Sequence, residues 1–258
     1  MIVQTEAVVL RSMEYGDTSK IVTLYTRKYG KLKVIAKGAR GAKNKFGSSL
    51  ETMTMSSVVL YKKEHRDLHL LSKSEIRMPL GKVQQDAERM FTALALLELV
   101  NMVMHDEEEN EKIFLLLTES LLAIDRSTGR RINVVIAFML KMFVQFGYGI
   151  DLRRCSHCQR EIERYHPPFV SLRISDGTLV CSECSGGSSA AGKRLTTGLI
   201  RTMDELLHAE TDAVTDIPVD HASTADILTV CELYMHYHHE GSRTLRSLSL
   251  LSTYSEQQ

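Results

Sequence analysis

Lys31-Leu-Lys-Val-Ile-Ala-Lys37 alternates with a period of two. A strand sends successive side chains to opposite faces, so Leu32, Val34 and Ala36 are expected in a core. Lys31, Lys33 and Lys37 then line the other side, with Ile35 between them. The surrounding window, Lys20 to Leu50, holds Lys20, Arg27, Lys28, Lys31, Lys33, Lys37, Arg40, Lys43 and Lys45 and contains no Asp or Glu. A solvated strand face would explain a single Lys-x-Lys. Nine cations in a stretch without acids point instead to a polyanion, and a nucleic-acid backbone fits such a row.

Outward from this stretch the first 80 residues read as five short strands. They are Val3–Leu10, Lys20–Arg27, Lys31–Lys37, Met53–Tyr61 and Asp67–Ile76, joined by connections that carry Gly30, Gly38, Gly41 and Gly47. Closely spaced strands with such turns predict a small barrel. A basic, aromatic-bearing face makes the OB-fold the natural candidate, since its open face binds single strands by phosphate pairing and base stacking. Tyr25, Tyr29 and Phe46 are available either to stack on bases or to pack in the barrel.

The net charge of zero conceals an asymmetry. Residues 1–79 carry 15 Lys and Arg against 7 Asp and Glu, a balance of +8, and the remainder sums to −8. That pattern describes a basic binding module joined to a more acidic body. Met1-Ile-Val-Gln-Thr-Glu has neither the basic start nor the apolar run of a secretory signal. The most apolar segments, Ala93–Val100 and Val134–Val144, are too short to span a membrane. A cytoplasmic, nucleoid-associated location is expected, where thiols stay reduced.

Beyond Pro79 and Gly81 the period becomes helical. Met90, Phe91, Leu94, Leu97 and Val100 form one stripe, and Ile113, Leu116, Leu117, Leu121 and Ile124 a second. Ile132, Val135, Ile136, Met139, Leu140 and Phe143 form a third, apolar nearly all round, which belongs in the middle of a bundle. The run Asp106–Glu111 reads as a solvated connection and the start of the next helix. Two further stripes follow at Ile200–Leu207 and Ile227–Met235. His236-Tyr-His-His239 reads as a polar helix end, and Cys231 as a buried thiol.

Cys155-Ser-His-Cys158 and Cys181-Ser-Glu-Cys184 are two C-x-x-C pairs. Each spacing lets a tight turn aim two sulfurs at one point, and two turns supply the tetrahedral set that zinc prefers. Val170-Ser-Leu-Arg-Ile174, Asp176-Gly177 and Thr178-Leu-Val180 read as a hairpin that delivers Cys181 to the first pair. An iron–sulfur cluster is also compatible with four cysteines. Disulfides are disfavoured in a reducing compartment. Four thiolates close the metal shell, so such a zinc is structural. Ser185–Gly192 reads as a linker.

No Gly-rich phosphate loop, G-x-S-x-G elbow or H-E-x-x-H is present, so a binding protein is expected and not an enzyme. The fold expected is α+β: an N-terminal five-stranded OB-fold β-barrel over 1–80, an α-helical bundle over 81–150 and 186–258, and an inserted four-cysteine zinc-finger element over 151–185.

Several stretches together carry a family likeness. Gln4-Thr-Glu-Ala-Val-Val-Leu10, Gly16-Asp-Thr-Ser-Lys20, Gly30-Lys-Leu-Lys33, Lys37-Gly-Ala-Arg40 and Phe146-Gly-Tyr-Gly-Ile-Asp-Leu-x-x-Cys155 resemble the bacterial DNA repair protein RecO family. The resemblance implies a recombination mediator that binds single- and double-stranded DNA and anneals complementary strands. It also implies partnership with RecR, and loading of RecA onto DNA coated with single-strand-binding protein. It places Lys37 and Arg40 in the DNA-contacting region. It implies that the acidic tail of single-strand-binding protein meets the helical body, where Arg130, Arg131 and Lys141 lie beside apolar positions. Two other classes compete: an RNA-binding OB and zinc-ribbon module, and a metal-dependent nuclease.

Overall fold

The computed structural model describes residues 1–63, 66–186 and 192–255. They form two compact units. The first comprises 1–126 and 245 onward, and the second 127–244.

In the first unit, β1 (Ile2–Tyr15), β2 (Ser19–Thr26), β3 (Gly30–Ala36), β4 (Met55–Tyr61) and β5 (Leu68–Met78) close into a barrel of order β1-β2-β3-β5-β4. The closing contact is the short parallel pairing of Lys33–Ile35 with Leu68–Leu70, and the other ladders are antiparallel. The alternation expected for β3 is present: Leu32, Val34 and Ala36 are buried with Val22, Leu24, Val58, Leu60 and Leu71. The strands lie where the sequence places them, except that β1 runs five residues past Leu10. A bulge between Val9 and Arg11 turns it. Beyond the bulge, Arg11–Tyr15 pairs with β2 as a largely exposed arm, so the buried alternation that marks a strand in sequence is missing there.

Two helices follow, α1 (Ala87–Val103) and α2 (Glu111–Arg126). Asp86 caps α1 by accepting from the Arg89 amide at 2.9 Å, and Asn110 caps α2 through the Ile113 amide at 3.1 Å. A further helix, α7 (Arg246–Ser255), packs on α1 and has no counterpart in the sequence reading. The Glu98 carboxylate of α1 accepts from the amides of Arg246 at 3.1 Å and Ser247 at 3.0 Å, supplying its N-terminal cap. A cap contributed by a distant helix leaves no local capping signature.

The second unit is built on α3 (Ile132–Gln145), which is buried on nearly all sides, as expected for its apolar circumference. Even Asn133 is buried, and its side-chain amide donates to the carbonyls of Val214 at 3.0 Å and Ile217 at 2.9 Å. Against it pack α5 (Thr197–His208) and α6 (His221–His238), and the short α4 (Ile162–Tyr165) packs on α5. A three-stranded sheet is ordered β7 (Thr178–Cys181), β6 (Val170–Arg173), β8 (Lys193–Leu195). The expected hairpin is β6–β7. Within the expected linker, 187–191 lie outside the described residues, and β8 begins immediately after Gly192. The change from strands to helices falls near residue 80 as expected, while the compact units group α1, α2 and α7 with the barrel and α3, α5 and α6 with the cysteine element.

Candidate nucleic-acid interface and metal centre

The nine cations of the basic window separate into three environments. Arg27, Lys31 and Lys33 meet the acidic run between α1 and α2. Asp106 lies 3.4 Å from Lys31 and 3.0 Å from Lys33, and Lys31 also donates to the Asn101 carbonyl at 2.9 Å. Arg27 bridges Glu111 at 2.7 Å and Glu6 at 3.0 Å. The same acidic run holds Lys62 and the buried His69 through Glu107. Backbone joins in, because the Glu107 amide donates to the Lys31 carbonyl at 2.9 Å. Asp106–Glu109 are exposed and α2 begins at Glu111, as expected of a solvated connection leading into a helix; what the sequence does not reveal is their pairing with the barrel. These carboxylates dock on the barrel, because a strand carrying lysines is stabilised by whichever anions the fold brings closest.

Docking leaves its mark on the titration of the acids. Burial alone would raise Asp106, but hydrogen bonding to Lys33 and the field of Lys31 outweigh it and hold the carboxyl below its ordinary range. Glu107 is lowered too, chiefly by its hydrogen bond to Lys62.

Lys20 and Arg40 form a second environment near the β1–β2 turn. Lys20 pairs with Glu51 at 2.8 Å, while Arg40 pairs with Glu14 at 2.9 Å and donates to the Gly16 carbonyl at 3.1 Å. The third environment is open. Lys28, Lys37, Lys43 and Lys45 are exposed, and among the described residues none of them makes an ion pair. Lys45 lies over the Phe46 ring at 5.0 Å from its centroid. Arg11, outside the basic window, is likewise exposed on the β1 arm without an ion pair among the described residues, and only the register of β1 on β2 reveals it.

The aromatic alternatives resolve toward packing. Tyr25 is fully buried against Phe114, and its hydroxyl donates to the Asn110 carbonyl at 3.2 Å. Phe46 is buried in the barrel core, and Tyr29 packs against it.

In the second unit all four predicted thiols converge. The sulfurs of Cys155, Cys158, Cys181 and Cys184 lie within 4.8 Å of one another. Cys158 and Cys181 are 3.9 Å apart, against the ~3.8 Å between sulfurs set tetrahedrally at about 2.3 Å around zinc. A disulfide would need about 2 Å. The hairpin makes the meeting possible, since Cys155 bridges to Leu179 and the Cys181 amide points at the Cys155 sulfur at 3.4 Å. Gln159, at φ +59°, closes the first turn by donating its amide to the Cys155 carbonyl at 2.9 Å.

Burial would raise the Cys155 thiol, yet the amides of Cys181, Cys158 and His157 outweigh it and bring it down to about 6. Cys184 is pushed up to about 12 by the sulfurs of Cys181 and Cys158. A cluster that yields its first proton easily and its last with difficulty is suited to a cation. These four cysteines could hold a metal ion. His157 and His166 are exposed. Cys231 is fully buried, which raises its thiol to about 12, as expected of a core thiol.

His238 stacks on Tyr148 at 4.7 Å between ring centroids, and its Nε2 lies 3.0 Å from the Ile174 carbonyl. His239 meets Phe146 edge-on. His238 and His239 thus pack on aromatic rings, while His236 and Tyr237 stay exposed as expected of a polar helix end. Arg130, Arg131 and Lys141 are engaged within the unit. Arg130 reaches Thr224 at 3.4 Å, Arg131 is buried, and Lys141 donates to the Ala209 carbonyl at 2.7 Å.

Comparison with known proteins accounts for nearly the whole chain. Residues 1–79 match the model of the recombination protein O N terminal region, and residues 84–248 that of its C terminal region. The chain belongs to the RecO family. DNA repair protein RecO of Chlorobium limicola is 28% identical over 257 residues, 98% of each chain. That of Desulfatibacillum aliphaticivorans is 32% identical over 202 residues, 78% of each. That of Salinibacter ruber is 28% identical over 253 residues, 97% of this chain and 94% of its own. RecO membership assigns the chain to DNA repair and recombination, and the closed barrel is the OB-type module expected. Among the described residues, no helix is long and apolar enough to cross a membrane.

Proposed function

We propose that the protein is a non-catalytic recombination mediator that holds single- and double-stranded DNA on its barrel and anneals complementary strands. In this reading it works with RecR to help load RecA onto DNA coated with single-strand-binding protein, whose C-terminal tail meets the helical part. It acts in the cytoplasm at the nucleoid, with one structural zinc held by Cys155, Cys158, Cys181 and Cys184. The observation that carries the reading is the open set of cations, Lys28, Lys37, Lys43 and Lys45, in a basic window whose other five cations already have carboxylate partners. Of the nine basic positions, these four are ready for phosphates. Arg27, Lys31, Lys33, Lys20 and Arg40 must first exchange their partners. The acids beside the barrel support binding over nuclease chemistry, since Asp106, Glu107 and Glu111 each engage a cation of the protein.

The test is anisotropy of a labelled single strand with Lys37→Glu/Lys43→Glu/Lys45→Glu. These side chains are exposed, so the fold should be kept while affinity drops at least tenfold. Wild-type affinity in that variant would remove the loop from the interface. Competition between DNA and RNA of one sequence decides the class of strand, and preference for RNA would favour the RNA-binding alternative. Incubation with magnesium and labelled DNA tests the nuclease alternative, which cleavage would revive.

A further inference from the structure

We propose that the outer face of β1, β2 and β3 carries a base-contacting row formed by Met13, Tyr15, Ile21 and Ile35. In this proposal that row makes the barrel favour an unpaired strand over a duplex. The inference rests on the reading that the barrel binds nucleic acid, and it adds a division of labour that charge alone does not give.

Register carries the argument. Arg11 stands opposite Thr23, and Thr23 opposite Lys33. One step along, Met13 stands opposite Ile21, and Ile21 opposite Ile35, while Tyr15 stands opposite Ser19. Directly paired residues project to the same side of a sheet. Val22, Leu24, Val34 and Ala36 point inward and are buried, so the Met13 and Arg11 rows point outward. Met13 is 45% and Tyr15 52% exposed, although both sit in regular strand pairing. Ile21 and Ile35 are half-buried beside them. An apolar row of this kind, with a phenol ring at its end, stands partly open on the outer face of these three strands.

The cations around the row select the occupant. Arg11 and Lys33 flank one side, and Lys37 follows Ile35 at the end of β3. Glu14, between Met13 and Tyr15, points to the other face of the arm, where Arg40 holds it. An apolar strip bordered by cations matches a strand with exposed bases and a phosphate backbone. In a duplex the base faces are stacked on one another, leaving only phosphates for the barrel to meet. The row therefore contributes to binding of single strands alone.

The experiment uses the full chain with three labelled probes of one length: a single strand, the same backbone with abasic sites throughout, and a duplex. Wild type should prefer the normal strand to the abasic one. Met13→Ser/Tyr15→Ala should lose about 5- to 150-fold on the normal strand, the span of one stacked base. It should change little on the duplex or the abasic strand and keep the same salt dependence. Tyr15→Phe should keep wild-type binding, because the ring face is retained. Equal losses on all three probes, or no loss on the normal strand, would overturn the proposal. Equal wild-type binding to normal and abasic strands would overturn it while leaving the barrel a phosphate binder. Failure of wild type on every probe would instead bring down the nucleic-acid reading beneath it.

Discussion

Asp106 is asked to satisfy two lysines at once, and its titration shows the cost of losing it. A carboxyl held below its ordinary range contributes stability that is fully present above its unfolded value of 3.8. That contribution is lost as pH falls through the lower, folded value. Asp106→Asn should therefore lower the melting temperature at neutral pH, by about 1 kcal/mol in stability because the acid is half exposed. The gap to wild type should close as the pH drops below about 4. Melting curves across that range check it, and a gap that persists in acid would show that Asp106 acts through shape instead. Gly30 offers a sharper case. Its φ is +62°, and a Cβ there would collide with the Glu108 carbonyl. Gly30→Ala should cost about 1–3 kcal/mol through backbone strain and push the acidic run off β3, seen as faster amide exchange at Glu107. The alternation of residues 31–37 is readable in sequence because it depends on neighbours two apart. The partners of those lysines are not, because Asp106 lies in a distant connection, 73 residues from Lys33.

Elements are legible where burial imposes a period. The barrel strands and α1, α2, α3, α5 and α6 announce themselves by spacing, and the cysteine hairpin by Asp176-Gly177 between two apolar runs. The β1 arm, β8 and α7 do not, for a shared reason. Each depends on a partner element: the arm on β2, β8 on β6, and the start of α7 on the cap from Glu98. At this scale the proposed metal would be the strongest dependency. The sheet is small, β7 leads directly into the second C-x-x-C turn, and Cys155 of the first bridges to Leu179 on it. Cys181→Ser, or a strong chelator, should remove one zinc per chain and expose the amides of 170–181 to exchange. Metal analysis with hydrogen exchange on one sample checks this. Retained protection after complete metal loss would show that the strands hold the turns unaided, and visible absorption would point to an iron–sulfur cluster.

Across the whole molecule, a basic segment in sequence is not the same as a basic surface in space. Nine cations acting together on a single strand would give a salt dependence of about −6 in log–log slope. The four of them without carboxylate partners (Lys28, Lys37, Lys43 and Lys45) would give about −3. A measured slope near the smaller figure would mean that the internal ion pairs survive binding. A value near the larger would mean that DNA strips Asp106, Glu111, Glu14 and Glu51 from their cations. Charge totals reveal the asymmetry between the first 79 residues and the rest, but they cannot reveal that the acids compensating it come partly from the connection between α1 and α2.

The helix that Glu98 caps lies 148 residues downstream of it. The first unit is therefore begun early in synthesis and finished only after the second has been made in its entirety. Until residues 245–255 leave the ribosome, the side of α1 that α7 covers has nothing against it, and the nascent protein must pass through that state on every round of translation. Ending the chain at residue 244 should freeze it there. Fractionation after expression should find the shortened protein in the pellet, with a soluble, cooperatively melting product as the outcome that would show α7 to be dispensable.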